Sequence, residues 1–460
     1  MKIRKIFSFD LRSLACFRIS LGLLVLYDLA ARARDLKAFY TDDGVLPRTL
    51  YFQTLESSFR ISLYFLNGSL AFAVFLFVLT AIAAAALAVG YKTRYAAFVS
   101  WFLLMSLQVR NPMVNTNADH LLRLFLMAGI LLPLGDAFSI DSSKATAVSR
   151  GPIPAATGFQ WPNLFYFFLF SFIYWFSAFF KIQNAQWHQG MALLGVFKNI
   201  NAATPIAVYL SYFPQVLKIL NYAVILFESL APFLLFIPLA RVRLFAILFF
   251  IVLHAVFGFC LFLGFFPWVS MAALIPFIPS ESWVDGRKKD TLVKHPENRP
   301  APFWVSAISL YLLVHIFIWN FLSLAPQPWG KNPLIQFGRL FYIDQTWSVF
   351  VPPGEYSIWY EMPARLRDGT TVDLSLFPRP GVEWKDFYRR ILNEDFRWER
   401  YLTKIWPNRF QNHYPYLVRY LEEEWNRTHR GDKQVEKMEV YGCFQYFYPE
   451  LSASKKTRFI

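Results

Sequence analysis

The chain has 460 residues, of which 56% are hydrophobic, 19% aromatic and only 17% charged. A soluble enzyme of this length carries more charge and shorter apolar runs, so that class is excluded and a polytopic helical membrane protein is implied. The formal net charge of +15 comes without a compact basic motif. It therefore argues for basic loops near anionic lipid and not for a nucleic-acid partner.

The opening MKIRK and the apolar stretch ending near Ala31-Arg32-Ala33 imitate a cleavable signal. Arg18 and Asp28 interrupt that stretch and Arg32 occupies the would-be cleavage site, so it reads as an uncleaved first span over about 13–31. A polar loop with Asp42-Asp43-Gly44 and Pro47 follows, then spans at 65–90, 95–109 and 119–135. The Ser/Thr/Gly/Pro-bearing connection 136–160 leads to a fifth span, uncharged from Pro162 to Phe180. Residues 183–215 are semi-polar, with an interfacial or re-entrant piece expected around 203–214, and span six covers 217–237. The run from Leu244 to Ile278 is too long for one crossing, and Gly264 with Pro267 predicts a break. A last span is expected at 303–324.

Basic residues of short loops set the orientation. With Lys2, Arg4 and Lys5 inside, the turns at Lys92/Arg94 and Arg241/Arg243 also fall inside. Splitting 244–278 puts Arg287, Lys288, Lys289 and Lys294 inside as well. The rule thus favours about nine crossings, with the C-terminal part outside. The expected fold is an all-α polytopic membrane domain over 1–326, followed by a small α+β soluble domain over 327–460. Within the latter, YSIWYEMPARLRDGTTVDLSL predicts a β-hairpin turning at Asp368-Gly369, 383–429 has helical periodicity, and 438–448 reads as a strand. Cys16, Cys260 and Cys443 are too scattered for a disulfide framework or a metal site.

Four places put polar groups where hydrocarbon penalises them. Lys181 ends the aromatic helix of span five and is followed by QNAQW, with Trp187, and by Gly190. The plain account is a snorkelling lysine; the alternative is a base, because burial disfavours the charged amine. In RNPMVNTNADHLLR, Asn115 or Asn117 can cap a helix, while Asp119 and Arg123 lie four apart on one face. Glu228 and His254 sit at matching depth in spans six and seven, which predicts that they face each other, as structural glue or as a proton relay. Arg18 and Asp28 are nearly three turns apart and are not expected to touch.

The segments FRISLGLLVLYDLAARARDLKAFYTDDGVLPR, NADHLLRLFLMAGILLPLGDAFSID and AFFKIQNAQWHQG resemble the HTTM domain, the membrane domain shared with vitamin K-dependent gamma-carboxylase. FGRLFYIDQTWSVFVPPGEYSIWYEMPARLRDGTTVDL is similar to the start of the outer domain of bacterial members, so the resemblance spans about 8–375. It implies a reduced vitamin K or related quinol as cofactor, no metal, and Lys181 as the base, since Lys181, Ile182 and Trp187 fall on the carboxylase's K-L-D-A-D-W-like pattern. Gln183 and Gln186 replace its acidic residues. Where the carboxylase has N-N-H-S, this chain has Asn117-Ala118-Asp119, with His120 displaced. The resulting expectation is a quinol-dependent, carboxylase-like enzyme at the outer face, in contact with membrane lipid and acting on a protein or peptide. Asn117, Asp119, His120, Arg123, Trp187, Glu228 and His254 are its candidate binding residues. The alternatives are a non-catalytic lipid-, quinone- or partner-binding protein and, last, a transporter with Glu228 and His254 as relay.

Overall fold

Apolar runs become helices because a helix satisfies its own backbone hydrogen bonds where water is absent. The computed structural model describes residues 6–55, 60–148, 156–199, 201–283, 301–324, 333–344, 346–353, 356–376, 396–406, 408–446 and 455–459. Among them, nine apolar helical segments succeed one another: α1 (Leu11–Ala33), α2 (Leu70–Val89), α3 (Thr93–Arg110), α4 (Asn117–Leu131), α5 (Trp161–Gln183), α6 (Pro214–Leu234), α7 (Ala240–Cys260), α8 (Phe266–Ala272) and α9 (Phe303–Leu322). Six of these, α1, α2, α5, α6, α7 and α9, are long and apolar enough to cross a membrane. The other three are shorter or more polar. Shorter helices are named below by their residues. Outward faces carry exposed Phe75, Ile82, Ile219, Leu226, Phe245 and Phe259, as lipid contact requires.

Helix ends follow local chemistry. Asp10 caps α1 by accepting from the Arg12 amide at 2.8 Å, and Ser69 caps α2. α2 stops at Gly90, φ +72°, where a Cβ would also lie 2.3 Å from that of Ser139; glycine alone meets both demands. Gly264, φ +58°, and Pro267 in the first turn of α8 make the expected break after α7. Thr116, and neither Asn115 nor Asn117, is the residue that opens α4. The connection after α4 holds an unforeseen helix, Ile140–Val148.

Contacts sort the helix ends into two groups. At one end Arg12 donates to the Trp283 carbonyl at 3.0 Å, Ser13 to the Ile278 carbonyl at 3.0 Å and Arg243 to the Ile237 carbonyl at 3.2 Å. Arg94 lies over Trp304 in the same group. At the other end gather the loop 34–55, the turn between α3 and α4, the chain after Lys181, the start of α8 and the C-terminal part. Residues 203–214 form a short helix, Pro205–Leu210, hydrogen-bonded to the end of α7 through the Thr204 amide and the Cys260 carbonyl at 2.9 Å.

Among the described residues the C-terminal part holds a short helix, Pro333–Leu340, two further helices, α10 (Phe396–Ile405) and α11 (Tyr414–Thr428), and six strands: β1 (Tyr356–Glu361), β2 (Pro363–Leu366), β3 (Thr371–Asp373), β4 (Val435–Met438), β5 (Tyr441–Tyr446) and β6 (Lys455–Arg458). They make two three-stranded sheets, ordered β1-β5-β6 and β3-β2-β4. The hairpin about Asp368-Gly369 therefore joins only β2 and β3. The YSIWYE stretch leaves it to pair with β5, a correction: Pro363 opens a new strand in a second sheet. The expected strand at 438–448 is likewise divided between β4 and β5. Residues 377–395 and the basic loop 284–300 lie outside the described residues.

Candidate functional site

Tyr174, Ser177 and Lys181 recur at i, i+3 and i+7 on α5, so they share one face. Lys181 is only 1% exposed. Its Nζ donates to Ser177 Oγ at 2.6 Å and to Glu228 Oε2 and Oε1 at 2.7 and 3.0 Å. Three donor hydrogens thus meet three acceptors. The ammonium also lies 5.2 Å from the Trp187 ring centroid, a cation–π contact. The lysine does not snorkel outward; it turns back into the helix bundle.

Glu228 reaches this depth because α6 begins well beyond the end of α5. Just past that end, Asn184 caps the Ala185–His188 helix, and Asn221 of α6 accepts from the Leu193 amide and donates to the Trp187 carbonyl. Gly190, φ +78°, lets the chain close on Lys218, whose Cγ would sit 2.7 Å from an added Cβ. Asn221 and Glu228 are two turns apart on one face, so fixing the first aims the second at Lys181.

A cavity of about 50 Å³ opens beside the pair. Its walls are mainly apolar and aromatic, with Phe125, Phe170 and Phe266 among them, and its polar lining comprises Ser177, Lys181, Trp187, Glu228, the Tyr174–His254 pair and Ser270. Tyr174 Oη lies 2.7 Å from His254 Nε2. The expected contact between Glu228 and His254 is corrected: both border the cavity, but Glu228 turns to Lys181 and His254 to Tyr174. Val349 and Phe350, from the C-terminal part, complete the lining. Trp187 Nε1 donates to the Phe350 carbonyl at 2.9 Å, and Phe350 holds φ +58°, a conformation that non-glycine residues rarely adopt.

The model of the HTTM domain matches residues 8–283, more than half of the chain. The chain belongs to the HTTM domain family. With six membrane-length helices among the described residues it is an integral multi-pass membrane protein. No curated protein and no solved structure matches it.

The other sequence-predicted residues of this HTTM protein gather elsewhere. Asn117 is exposed, and Asn117, Asp119, His120 and Arg123 are not among the side chains lining the cavity. Asp119 accepts from the Thr116 amide at 2.7 Å and pairs with Arg32 and, at 3.1 Å, with Arg397 of α10. Arg32 also bonds Asp28 at 2.8 Å, and Arg397 bonds Asp28 in turn. Arg123 donates to Gln108, to the Tyr342 carbonyl at 3.1 Å and to His120 Nδ1 at 3.0 Å; a guanidinium only donates, so His120 carries its proton on Nε2. Lys404 of α10 adds bonds to the Pro112 and Asn115 carbonyls, both at 2.9 Å. This network fastens the C-terminal part to the helices. Arg18 stands apart, held by the carbonyls of Leu134 at 2.9 Å and Ala137 at 3.1 Å.

Sequence reasoning missed Ser177 and Tyr174, although their helical spacing from Lys181 was legible. It also missed Arg397 and the Val349–Phe350 cover, which lie far off in the chain and carry no local signal.

Proposed function

We propose that this protein crosses the membrane nine times, places its C-terminal α+β part, from about residue 327, on the outer face, and binds the ring of a lipid-soluble quinol, such as reduced vitamin K, beside Lys181 and Glu228. Nine crossings fit the alternation of helix ends, and the outer placement fits the basic turns at Lys92/Arg94 and Arg241/Arg243 lying at the opposite end. Single cysteines replacing Lys92 and Glu423, in a background without the native three, should label with an impermeant thiol reagent only at 423 in intact cells. Labelling at 92 alone would reverse the orientation.

The observation that carries the quinol reading is an ion pair buried against an aromatic cavity. Burying two charges is costly and seldom adds net stability, so a pair kept beside open space points to a ligand. Bound there, a quinol would supply an acidic hydroxyl. Glu228 can take a proton on its carboxylate while Lys181 Nζ, released from that counter-charge, offsets a negative charge on the ligand. Proton and charge then balance within the site, and Lys181 need not lose its own proton. The donor chemistry fits, whereas the volume is roughly a third of the ~150 Å³ that holds a benzene. Access for a ring therefore requires the Val349–Phe350 cover to withdraw, and the strained Phe350 is where such a movement would release energy.

The test uses the ultraviolet spectrum of a naphthoquinol, which reports loss of its hydroxyl proton, with the protein in nanodiscs. Bound quinol should ionise at lower pH than free quinol. Glu228→Gln and Lys181→Ala should each abolish that shift, and Lys181→Arg should keep part of it. A full shift in Glu228→Gln would remove Glu228 as acceptor, and no shift in the unaltered protein would sink the acid–base reading. A second reading, a non-catalytic quinone- or lipid-binding protein, is favoured by the fact that Lys181 already occupies both carboxylate oxygens. Binding without ionisation would select it.

A further inference from the structure

The cavity has a second polar pole that the proton step does not use. His254 is 3% exposed, lines the cavity, and its Nδ1 has no hydrogen-bond partner among the described residues. An unmet buried polar atom costs about 1–3 kcal/mol, so what it faces matters. The tautomer follows from counting donors. Tyr174 Oη finds its partner in His254 Nε2. If the hydroxyl donates to Nε2, Nδ1–H is the one donor left over. If Nε2–H donates instead, both the tyrosine proton and the bare Nδ1 lack partners. The first arrangement leaves fewer groups unmet and presents an N–H donor.

Lys181 is the other donor, its Nζ held at Ser177. Ser177 is three residues from Tyr174, about 4.5 Å along the helix axis. Lys181 and His254 both line the cavity, with Phe125, Phe170 and Phe266 among its walls. Resting on the quinol reading, we propose that His254 Nδ1–H binds the second oxygen of a para-dioxygenated aromatic ring whose first oxygen faces Lys181 and Glu228. The site then reads both ends of its ligand, and His254 sets its specificity and orientation.

The experiment compares a dimethyl para-naphthoquinone with the matching single-ketone tetralone, by equilibrium binding to the protein in nanodiscs, corrected for partition into protein-free discs. The unaltered protein should prefer the two-oxygen ligand about fivefold, the worth of one neutral hydrogen bond. His254→Leu should erase the preference and leave tetralone binding in place. Tyr174→Phe/His254→Leu removes both partners, so no orphan hydroxyl remains to unfold it, and should behave alike. A preference that survives in either variant would overturn the assignment of His254 alone. An equal loss of both ligands in the double variant, while it still elutes as a folded species, would do the same. Failure of the unaltered protein to bind either ligand would instead overturn the quinol reading, and this inference with it.

Discussion

Two buried charge networks lie within this HTTM protein, and they solve the same problem differently. Asp28, Arg32, Asp119 and Arg397 form a closed set in which each carboxylate meets both guanidiniums. Lys181 and Glu228 also satisfy each other, but they border open space and an unmet imidazole nitrogen. Charge inside apolar surroundings is thus not by itself the mark of a site. What separates a joint from a site is whether the polar groups are used up. The first network is used up, and it joins elements hundreds of residues apart.

The largest effect should come from breaking the closed network. Arg397→Met leaves two carboxylates facing one guanidinium, and an uncompensated buried charge costs about 3–5 kcal/mol. The C-terminal part should release from the helices, which limited proteolysis would detect as cleavage between residues 340 and 396. Arg397→Lys should recover only part of the loss, because an ammonium cannot bridge two carboxylates as a planar fork does. An unchanged digestion pattern in Arg397→Met would show that the other contacts, Lys404 to Pro112 and Asn115 included, suffice for docking.

The open network should tolerate more. Lys181→Met and Glu228→Gln each strand a polar partner, but the adjoining cavity can admit water to it. We expect about 1–3 kcal/mol for each single change, and less for Lys181→Met/Glu228→Gln than the sum of the two. Thermal unfolding in detergent measures all three. If the single changes cost as much as Arg397→Met, the pair is as closed as the other network and the contrast between them fails.

How much of this was legible follows from range. The helices, the break at Gly264 and Pro267, and the hairpin at Asp368-Gly369 are written in local pattern, and each appears within a few residues of where pattern puts it. Lys181 stood out because a charge closing an aromatic helix is costly wherever it points. Its partner did not, because the meeting with Glu228 depends on how far α6 runs past α5, which the Asn221–Trp187 and Gly190–Lys218 contacts decide. Depth counting puts Glu228 and His254 at matching depth and so predicts that they face each other, but depth alone does not fix which way each side chain turns. Asp119 and Arg123 read locally as candidate binding residues because Arg397 and Tyr342, which pair with them, lie more than 200 residues away.

Acid should loosen the docking of the C-terminal part. His413, in the C-terminal part, is fully buried and lies 3.1 Å from Thr54 Oγ1, whose own hydrogen goes to the Leu50 carbonyl. Nε2 is therefore the donor, and Nδ1 has no partner among the described residues. Burial holds this imidazole at about 4, below the usual 6.5. The unfolded chain binds more protons than the folded one between those values, so stability falls as pH drops from 6.5 towards 4. The loss amounts to about 1.5 kcal/mol by pH 5. His413→Gln should flatten the acid limb of melting temperature against pH, and an identical limb would place the acid sensitivity elsewhere.

The smallest expected effect bears most directly on the cover. Trp187→Phe keeps a ring beside Lys181 but removes the Nε1–H bond to the Phe350 carbonyl, worth about 1 kcal/mol. Global melting should hardly move, because the rest of the C-terminal part stays docked through Arg397, Lys404 and the Tyr401 hydroxyl on the Val45 carbonyl at 3.0 Å. The change should instead show locally. With its tether gone, the strained Phe350 can relax, and amides from 347 to 353 should exchange with deuterium about fivefold faster while those of α10 do not. Ligand association should speed up by a similar factor if the cover is the barrier to the cavity. Faster exchange with unchanged association would mean that ligands reach Lys181 from the lipid side, between helices, and that the cover only seals the outer face.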